Sequence, residues 1–202
     1  MASIGLKDYR WAELNADNKT YKVEDGLKKL EGAIECTPKF NFNEGQLKAD
    51  DRTIEDVSEF SYGDLTMGIA DDNDEAFDEI LGRTRSSEGE VVSNVNDAPK
   101  YVGFSDIITK IKNGKKIYKV EFLPKVKFKP FVTGAKTKGD SLEFTTPSVE
   151  GKFYENADGN YEIHKEFEIY EEAVSYQNSL FGYTPSQENQ NANLNEQEQE
   201  LN

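Results

Sequence analysis

The chain has 202 residues, 24 of them basic and 39 acidic, and its net charge at pH 7 is −15. This length predicts one domain with additional segments, and the charge disfavours nucleic acid as a tight ligand, because such binding depends on cations that contact phosphates. A single cysteine excludes a disulfide within the chain. The lack of a signal-peptide pattern and of an apolar run of about 20 residues favours a protein made in a cytoplasm, without a membrane anchor.

The N-terminal half has the pattern of successive strands. A short strand is predicted at residues 9–14, and residues 33–42 alternate between apolar and polar side chains, as in a half-buried strand. Pro38 indicates that this strand lies at a sheet edge or a bulge, because proline cannot donate to a ladder. Residues 46–60 are polar and lack apolar periodicity, which predicts a strand end that runs into a long loop. Alternation resumes over residues 60–69.

A helix is predicted after this last strand, in which Gly63 indicates a bulge. Residues 73–81 place acids in a first helical turn and apolar residues on one face. Gly82 is expected to end the helix in the left-handed conformation. The charged connection that follows predicts a short strand at residues 90–93.

The most distinctive segment is a basic block, residues 100–138, with eleven lysines, two acids and a charge of +9. The rest of the chain sums to −24. Within the block, Asn113-Gly114 separates two alternating runs. This dipeptide is the strongest short-range hairpin signal, because both residues tolerate the positive φ of a type I′ turn. The second run extends past Pro124 through Val126 and Phe128.

The remaining pattern predicts more strands and one more helix. Strands are expected at residues 141–146 and 149–153, and a tight turn at Asp158-Gly159 leads into a returning strand at residues 161–167. Residues 171–181 have the pattern of a short amphipathic helix. The order of elements predicts a mainly β fold, an antiparallel β-sandwich or barrel-like fold with one or two short flanking α-helices.

The C-terminal segment differs in composition. Of residues 185–202, nine are Asn or Gln, four are Glu, and none is aromatic or β-branched. Such a segment buries too little apolar area to offset its ordering entropy. We therefore expect a β domain at residues 1–183 and a disordered polar tail at residues 184–202.

No catalytic or metal-binding pattern stands out. His164 is the only histidine and lies in an alternating strand, which is typical of a surface residue. Cys36 has no basic neighbour in sequence that would activate a thiol, and its pattern is that of a small buried apolar residue. The acidic run at residues 71–75 fails the EF-hand spacing and suits a helix N-terminus, and residues 156–160 suit a hairpin turn. We expect no enzyme activity, no cofactor and no metal.

The lysines of the basic block admit three interpretations. They form a nucleic-acid patch, interleaved with Tyr118, Phe122 and Phe128; or they form the polar face of a sheet whose aromatic side chains point inward; or they meet opposite charge on another copy of the chain. The candidates for such an intersubunit contact are Lys125, Lys127 and Lys129.

An ordered set of short motifs resembles the major tail proteins of long-tailed, non-contractile bacteriophages that infect Gram-positive hosts. The resemblance covers residues 1–182 and lies in the order and spacing of the pieces, since none of them is a chemical signature alone. The pieces are IGLK at 4–7, LKADD at 47–51, LTMGIAD at 65–71 with the helix at 77–82, YVG at 101–103, KNG at 112–114, LPKVKF at 123–128, AKTKG at 135–139, and EFTTP at 143–147 with EG at 150–151.

The resemblance implies a tail-tube subunit with a β-sandwich fold. Six copies form a ring in that family, and stacked rings form the tube that conducts DNA, so DNA is passing cargo and not a tight ligand. The implied partners are other copies of the chain, the tape-measure protein, the tail terminator and the distal tail proteins, and the implied location is the virion tail after assembly in the host cytoplasm. The segment at residues 50–59 corresponds to a long loop that joins subunits and rings; its candidate interface residues are Asp50, Asp51, Arg52, Thr53, Ile54 and Glu55.

The sequence leaves two alternative functions open. One is a non-enzymatic acidic β-sandwich that binds ligands, of the surface-adhesin or carbohydrate-binding type, which requires exposed aromatic clusters. The other is the tube protein of a bacterial contractile secretion system, which shares ring assembly.

Overall fold

The computed structural model describes residues 2–49, 52–70, 74–131 and 146–184. Antiparallel strands make up most of this part of the chain, and two short helices flank them, so the mainly β fold class is confirmed. The elements are β1 (Ala2–Glu13), β2 (Lys28–Leu30), β3 (Ala33–Ala49), β4 (Arg52–Ile69), α1 (Asp74–Leu81), β5 (Thr84–Arg85), β6 (Val91–Val92), β7 (Tyr101–Lys112), β8 (Lys115–Phe128), β9 (Ser148–Tyr154), β10 (Ile163–Phe167) and α2 (Tyr170–Leu180).

Eight of these strands form one continuous, curled sheet. Its order is β2-β1-β7-β8-β9-β4-β3, with β10 paired to β8 off this path, and β5 and β6 form a separate pair. The end strands β2 and β3 are brought together because only Glu31 and Gly32 connect them. Gly32 has a φ of +77°, and its carbonyl accepts a hydrogen bond from the Ala70 amide at 2.7 Å. In the described residues no ladder joins β2 to β3, so the sheet is barrel-like without closing.

The main core fills the inside of the curled sheet. Leu65, Met67 and Ile69 alternate along β4, as predicted, and each is at most 1% exposed. Phe77 and Ile80 of α1 join this core, so the helix covers the interior. Fully burying one such side chain contributes about 1.5–3 kcal/mol, which makes this cluster a main source of stability.

The hairpin predicted in the basic block is present. β7 and β8 pair from Lys112 with Lys115 at the turn to Tyr101 with Lys127 at the far end. Asn113 and Gly114 have φ values of +52° and +77°, as a type I′ turn requires. Similarly, α1 ends at Gly82 with a φ of +70°, the predicted left-handed end.

The second helix, α2, covers the outer face of β7 and β8. Ala173 of α2 packs with Ile107 and Val120, and all three are 0% exposed. The opposite face of the same strands lines the main core, so residues 102–107 are buried on both sides. This part of the sheet is therefore structural and not a surface for ligands.

The predicted loop within residues 46–60 is instead a hairpin. β3 and β4 stay paired from Ala33 with Ile69 out to Ala49 with Arg52. The loop prediction was wrong because alternation marks a strand only where one face is buried, and the side chains of residues 43–46 and 55–59 are all exposed. As Pro38 indicated, β3 is an end strand of the sheet.

The sequence predicts that the strand after the Asp158-Gly159 turn returns along β9, and this prediction is wrong. Instead, β10 pairs with residues 118–122 of β8, and β9 pairs with residues 125–128 on the same side of that strand. The turn itself is present, with a φ of +79° at Gly159. The two ladders are separated at Pro124, which has no N–H with which to continue either one.

Three expectations lie outside the described residues. They are residues 141–145 of the expected strand at 141–146, Asn73 at the start of the expected helix, and the tail from residue 185 onward. The short strand expected at residues 90–93 is β6.

Candidate assembly surfaces

A two-stranded ribbon projects from the sheet. β9 pairs with β4 only from Gly63 to Gly68, so the more distal residues of β4 pair with β3 alone. We call residues 43–49 and 52–59 the arm. Its described side chains, at residues 43–46 and 55–59, are exposed and include four acids: Glu44, Glu55, Asp56 and Glu59.

Aromatic stacking fixes the base of the arm. The ring of Phe60 stacks on that of Tyr161 with centroids 4.0 Å apart and planes 13° apart, and Phe42 packs edge-on against Phe60. Gly63 leaves the space that the Phe153 ring occupies, because a Cβ at residue 63 would lie 1.9 Å from Phe153 Cζ. The bulge that we assigned to Gly63 lies just beyond it, at a register shift opposite Phe42. This packing therefore fixes the orientation of the arm relative to the rest of the sheet.

Five strands place a polar row across the outer face of the sheet. From β7 to β3 the row consists, in register, of Tyr101, Lys127, Lys152, Asp64 and Lys39. Residues of the opposite parity point into the core, such as Val126 and Phe128, which are at most 1% exposed. We call this surface the lysine–tyrosine face; it comprises Lys39, Tyr62, Asp64, Tyr101, Lys125, Lys127, Lys129, Glu150, Lys152 and Tyr154.

Lysine side chains lie over the tyrosine rings of this face. The ammonium nitrogens of Lys125 and Lys127 are 4.9 and 5.2 Å from the Tyr101 ring centroid. That of Lys152 is 3.7 Å from the Tyr62 ring centroid. These cation–π contacts hold the aliphatic stems against the sheet and leave the charges at the surface.

Two acids partly compensate the five lysines. Lys129 pairs with Glu150 at 2.9 Å, and Lys152 lies 3.6 Å from Asp64. The hydrogen bond to Glu150 raises the pKa of Lys129. Both pairs are substantially exposed, and such pairs contribute little to stability. The face therefore keeps a net positive charge. Its lysines can exchange these weak ion pairs for acidic partners on another surface.

An open cleft of about 530 Å³ borders the face, with Tyr101 and Lys125 in its lining. At its wall, Lys100 Nζ lies 2.8 Å from a Glu13 carboxylate oxygen. Hydrogen bonds from Lys100 and Lys22 lower the pKa of Glu13 despite its partial burial. This wall of the cleft is therefore held by an ion pair.

A carboxyl group is buried inside the curled sheet. Asp106 is 1% exposed, and neither carboxyl oxygen has a hydrogen-bond partner of good geometry in the described part of the chain. Burial, followed by the like charge of Glu121, raises the pKa of Asp106 to about 7. Burial and the Asp106 charge likewise raise the pKa of the half-buried Cys36. Since only thiolates are good nucleophiles, Cys36 acts as a packing residue, as the sequence suggested.

The other candidate side chains support local structure. His164 is exposed, and its Nδ1 lies 3.1 Å from a Glu162 carboxylate oxygen. The side-chain oxygen of Asn156 accepts hydrogen bonds from the Asp158 and Asn160 amides, both at 3.0 Å, and so closes the turn. Residues 71–73 lie outside the described part. Among the described residues, no group of three or more His, Cys, Asp or Glu side chains is arranged to hold a metal.

The sequence-predicted interface residues fall on two separate surfaces. Lys125, Lys127 and Lys129 belong to the lysine–tyrosine face, whereas Arg52, Thr53, Ile54 and Glu55 belong to the β4 strand of the arm. Asp50 and Asp51 lie outside the described residues. Sequence reasoning alone missed Lys39, Tyr62, Tyr101 and Lys152. Each of these side chains points outward from its strand, but only the pairing register of five strands shows that they share one face.

Of the comparisons with known proteins, the one with solved structures supports the fold. Neither a family model nor a curated protein matches the chain. A similar solved structure is the cryo-EM structure of the anti-feeding prophage cap, the AFP tube terminating cap, with a TM-score of 0.50. The two chains are 6% identical, and the match covers 82% of this chain and 92% of that one. At this identity the likeness concerns the fold alone. None of the described helices has the length and apolar character to cross a membrane.

Proposed function

We propose that this chain is a structural subunit of a phage-type tail, whose copies assemble into six-membered rings that stack into a tube for DNA. The observation that carries the proposal is the arm, which projects with its described side chains exposed. An isolated two-stranded ribbon is marginally stable in water, so a partner surface would stabilise it. The fold likeness to a tube terminating cap and the motif resemblance to major tail proteins support the same conclusion.

Free strand edges offer a second route to assembly. In the described residues, β3 pairs with β4 alone, and residues 2–8 of β1 pair only with β7. Unpaired edges readily pair with strands of other chains. Head-to-tail contacts between different surfaces close into rings or continue into filaments. We infer that neighbouring copies complete these edges.

The charge of the chain suits a conduit for DNA. At −15 per chain, a six-membered ring carries −90. A wall with this excess of negative charge repels phosphates, so DNA passes without being retained. The lysine–tyrosine face then meets acidic surfaces of neighbouring copies, which steers their association.

The finer assignments follow the resemblance to the tail-protein family. The assembled protein belongs to the virion tail of a phage with a Gram-positive host, put together in the host cytoplasm. Its partners are further copies of itself, the tape-measure protein, the tail terminator and the distal tail proteins. It has no enzymatic activity and needs no cofactor. Residues 1–183 are the tube domain, and residues 184–202 are a polar tail outside the tube.

A second candidate is a cap that ends a tube and does not repeat along it. The fold likeness to a tube terminating cap favours this role. A cap forms single rings that do not stack, whereas a tube subunit forms both rings and stacks. The size distribution of the assembled protein separates the two candidates.

Sedimentation velocity over a range of concentrations tests self-association. The wild type should shift to larger species as concentration rises. A variant in which Asn-Gly replaces residues 46–56 keeps the Gly45–Val57 pair and closes a two-residue hairpin, and it should remain monomeric. A wild type that is monomeric at every concentration and salt, or a shortened-arm variant that assembles equally well, contradicts the proposed role of the arm.

A further inference from the structure

We propose that the lysine–tyrosine face is the docking surface for the arm of a second copy of this chain. The proposal rests on the self-association proposed above and names the two surfaces that meet. The face carries five lysines and two acids. Over residues 43–49 and 52–59, the arm carries four acids and two bases, Lys48 and Arg52, so its net charge is −2. The two surfaces therefore have opposite charge.

In the described part of the chain, the carboxylates of the arm have no partner. All four are exposed, and none of these carboxylates forms an ion pair or hydrogen bond with a described residue. Like charges on a narrow ribbon repel one another. Cations from another surface relieve this repulsion, whereas the weak pairs already on the face exchange at little cost.

A chain cannot lay its arm on its own face. β3 and β4 form one ladder through both regions, and Glu55 on the arm is nine residues from Asp64 on the face. At about 3.3 Å per residue this separation is about 30 Å. Folding the arm back would break the ladder and separate Phe60 from Tyr161, which stack at its base. A second copy must supply the arm.

The arm presents a regular charge pattern on one side. Glu55, Val57 and Glu59 alternate along β4 and therefore point to the same side of the ribbon. Glu55 and Glu59 are thus about 13 Å apart. Between them, Val57 is 44% exposed and provides an apolar contact.

The face presents the complementary pattern at the end of β8. Lys125 and Lys129 are also four residues apart, and the Lys129 amide donates to the Glu150 carbonyl at 2.8 Å, so the chain stays extended there. The 39%-exposed ring of Tyr101 lies beside them. An arm laid along β8 therefore brings two carboxylates to two lysines and Val57 to an aromatic ring.

The same face is poorly suited to nucleic acid. Single-stranded nucleic acids stack their bases on free aromatic rings, but lysine ammonium groups lie over the rings of Tyr101 and Tyr62. The carboxylates of Asp64 and Glu150 also lie within the face and repel phosphates. A carboxylate-bearing strand fits the face better than a phosphate backbone.

Charge reversal on each surface, and then on both, tests the contact. The variants are a face variant, Lys125→Glu/Lys129→Glu; an arm variant, Glu55→Lys/Glu59→Lys; a combined variant with all four changes; and a control, Lys29→Glu/Lys116→Glu, at exposed lysines outside both surfaces. Circular dichroism and thermal unfolding check that each variant folds. A variant that fails to fold is replaced by its glutamine counterpart.

Sedimentation velocity gives the concentration at which half of the protein is assembled. The face variant and the arm variant should each raise this concentration about tenfold or more, equivalent to about 1.4 kcal/mol. The combined variant should return it to within about threefold of the wild type, because the reversed charges again attract. The control should leave it unchanged.

The outcomes separate this contact from the proposed function. A wild type that never assembles contradicts both. Two outcomes contradict the proposed contact but not the proposed function. One is a wild type that assembles no better than the face variant, and the other is a combined variant that assembles no better than the face variant or the arm variant. A labelled single-stranded oligonucleotide of about 20 nucleotides that binds the wild type but not the face variant overturns the proposal in favour of nucleic acid.

Discussion

Asp106 and Glu121 lie directly opposite each other on β7 and β8. Two neighbouring carboxylates cannot both ionise at low cost when one is removed from water. Glu121 forms an ion pair with Lys119, whereas Asp106 is 1% exposed and has no such partner among the described residues. Tyr9 from β1, Cys36 from β3 and Lys119 from β8 are the other titratable groups that interact with it. The charge of Asp106 therefore bears directly on the stability of the fold.

The stability of the protein should fall as Asp106 ionises. The pKa of Asp106 rises from 3.8 to about 7 on folding. The stability that depends on its protonated form is therefore fully present below pH 3.8 and is lost as the pH rises through 7. Asp106→Asn keeps the shape and removes the titration. Relative to this variant, the wild type should lose about 2–3 kcal/mol of unfolding free energy between pH 5 and pH 8. Urea unfolding at both pH values measures it, and equal pH dependence of the two proteins would be evidence against a titrating Asp106.

Gly63 should tolerate no side chain. In Gly63→Ala the new methyl group would lie 1.9 Å from Phe153 Cζ, so the ring must move and the core must repack. The expected loss is about 1–3 kcal/mol of unfolding free energy. Gly45→Ala, in the arm, meets nothing within 4 Å and is the matched control. A similar melting temperature for both variants contradicts the close packing at Gly63.

Tyr161 should control how firmly the arm is held. Tyr161→Leu removes the ring that stacks on Phe60 at 4.0 Å, a pair of a kind that contributes about 0.5–1.5 kcal/mol beyond buried area. Amide hydrogen exchange at the base of the arm should accelerate. The control is Tyr176→Leu, since Tyr176 packs on Phe167 in a different cluster. Exchange that is equally slow in both variants would rule out the stacking as the anchor.

A chain that ends at Tyr183 should be as stable as the full-length protein, because the polar composition of residues 184–202 offers too little apolar area for burial. A chain that ends at Leu180 loses Phe181, which is 2% exposed and packs 4.9 Å from Phe122. Removal of a buried phenylalanine costs about 3–5 kcal/mol. Thermal unfolding distinguishes the two truncations, and a large loss in the longer one contradicts the proposed domain boundary.

Local signals predicted the elements whose conformation is fixed by nearby residues. Asn113-Gly114 predicted the β7–β8 hairpin because the dipeptide itself favours the turn, and Gly82 predicted the end of α1 for the same reason. The alternation of Leu65, Met67 and Ile69 predicted the strand because one of its faces is buried. In each case the local preference and the tertiary fold agree.

The pairing of strands that are distant in the chain could not be predicted from local sequence signals. The arm lacks alternation because its described side chains face solvent on both sides, so its strands resemble a loop in sequence. The turn at Asp158-Gly159 predicted a hairpin, but its two flanking strands both pair with β8. Likewise, Lys39 and Lys152 join Lys127 in one row only through the register of β3, β4, β9 and β8. No local signal specifies which strands become neighbours.

Negative-stain electron microscopy of the wild-type protein at high concentration tests the central claim most directly. We predict rings with a central channel, together with stacks of these rings that form hollow tubes. Rings that never stack would favour the capping role. A field of separate monomers at every concentration and salt would contradict assembly into a tail structure.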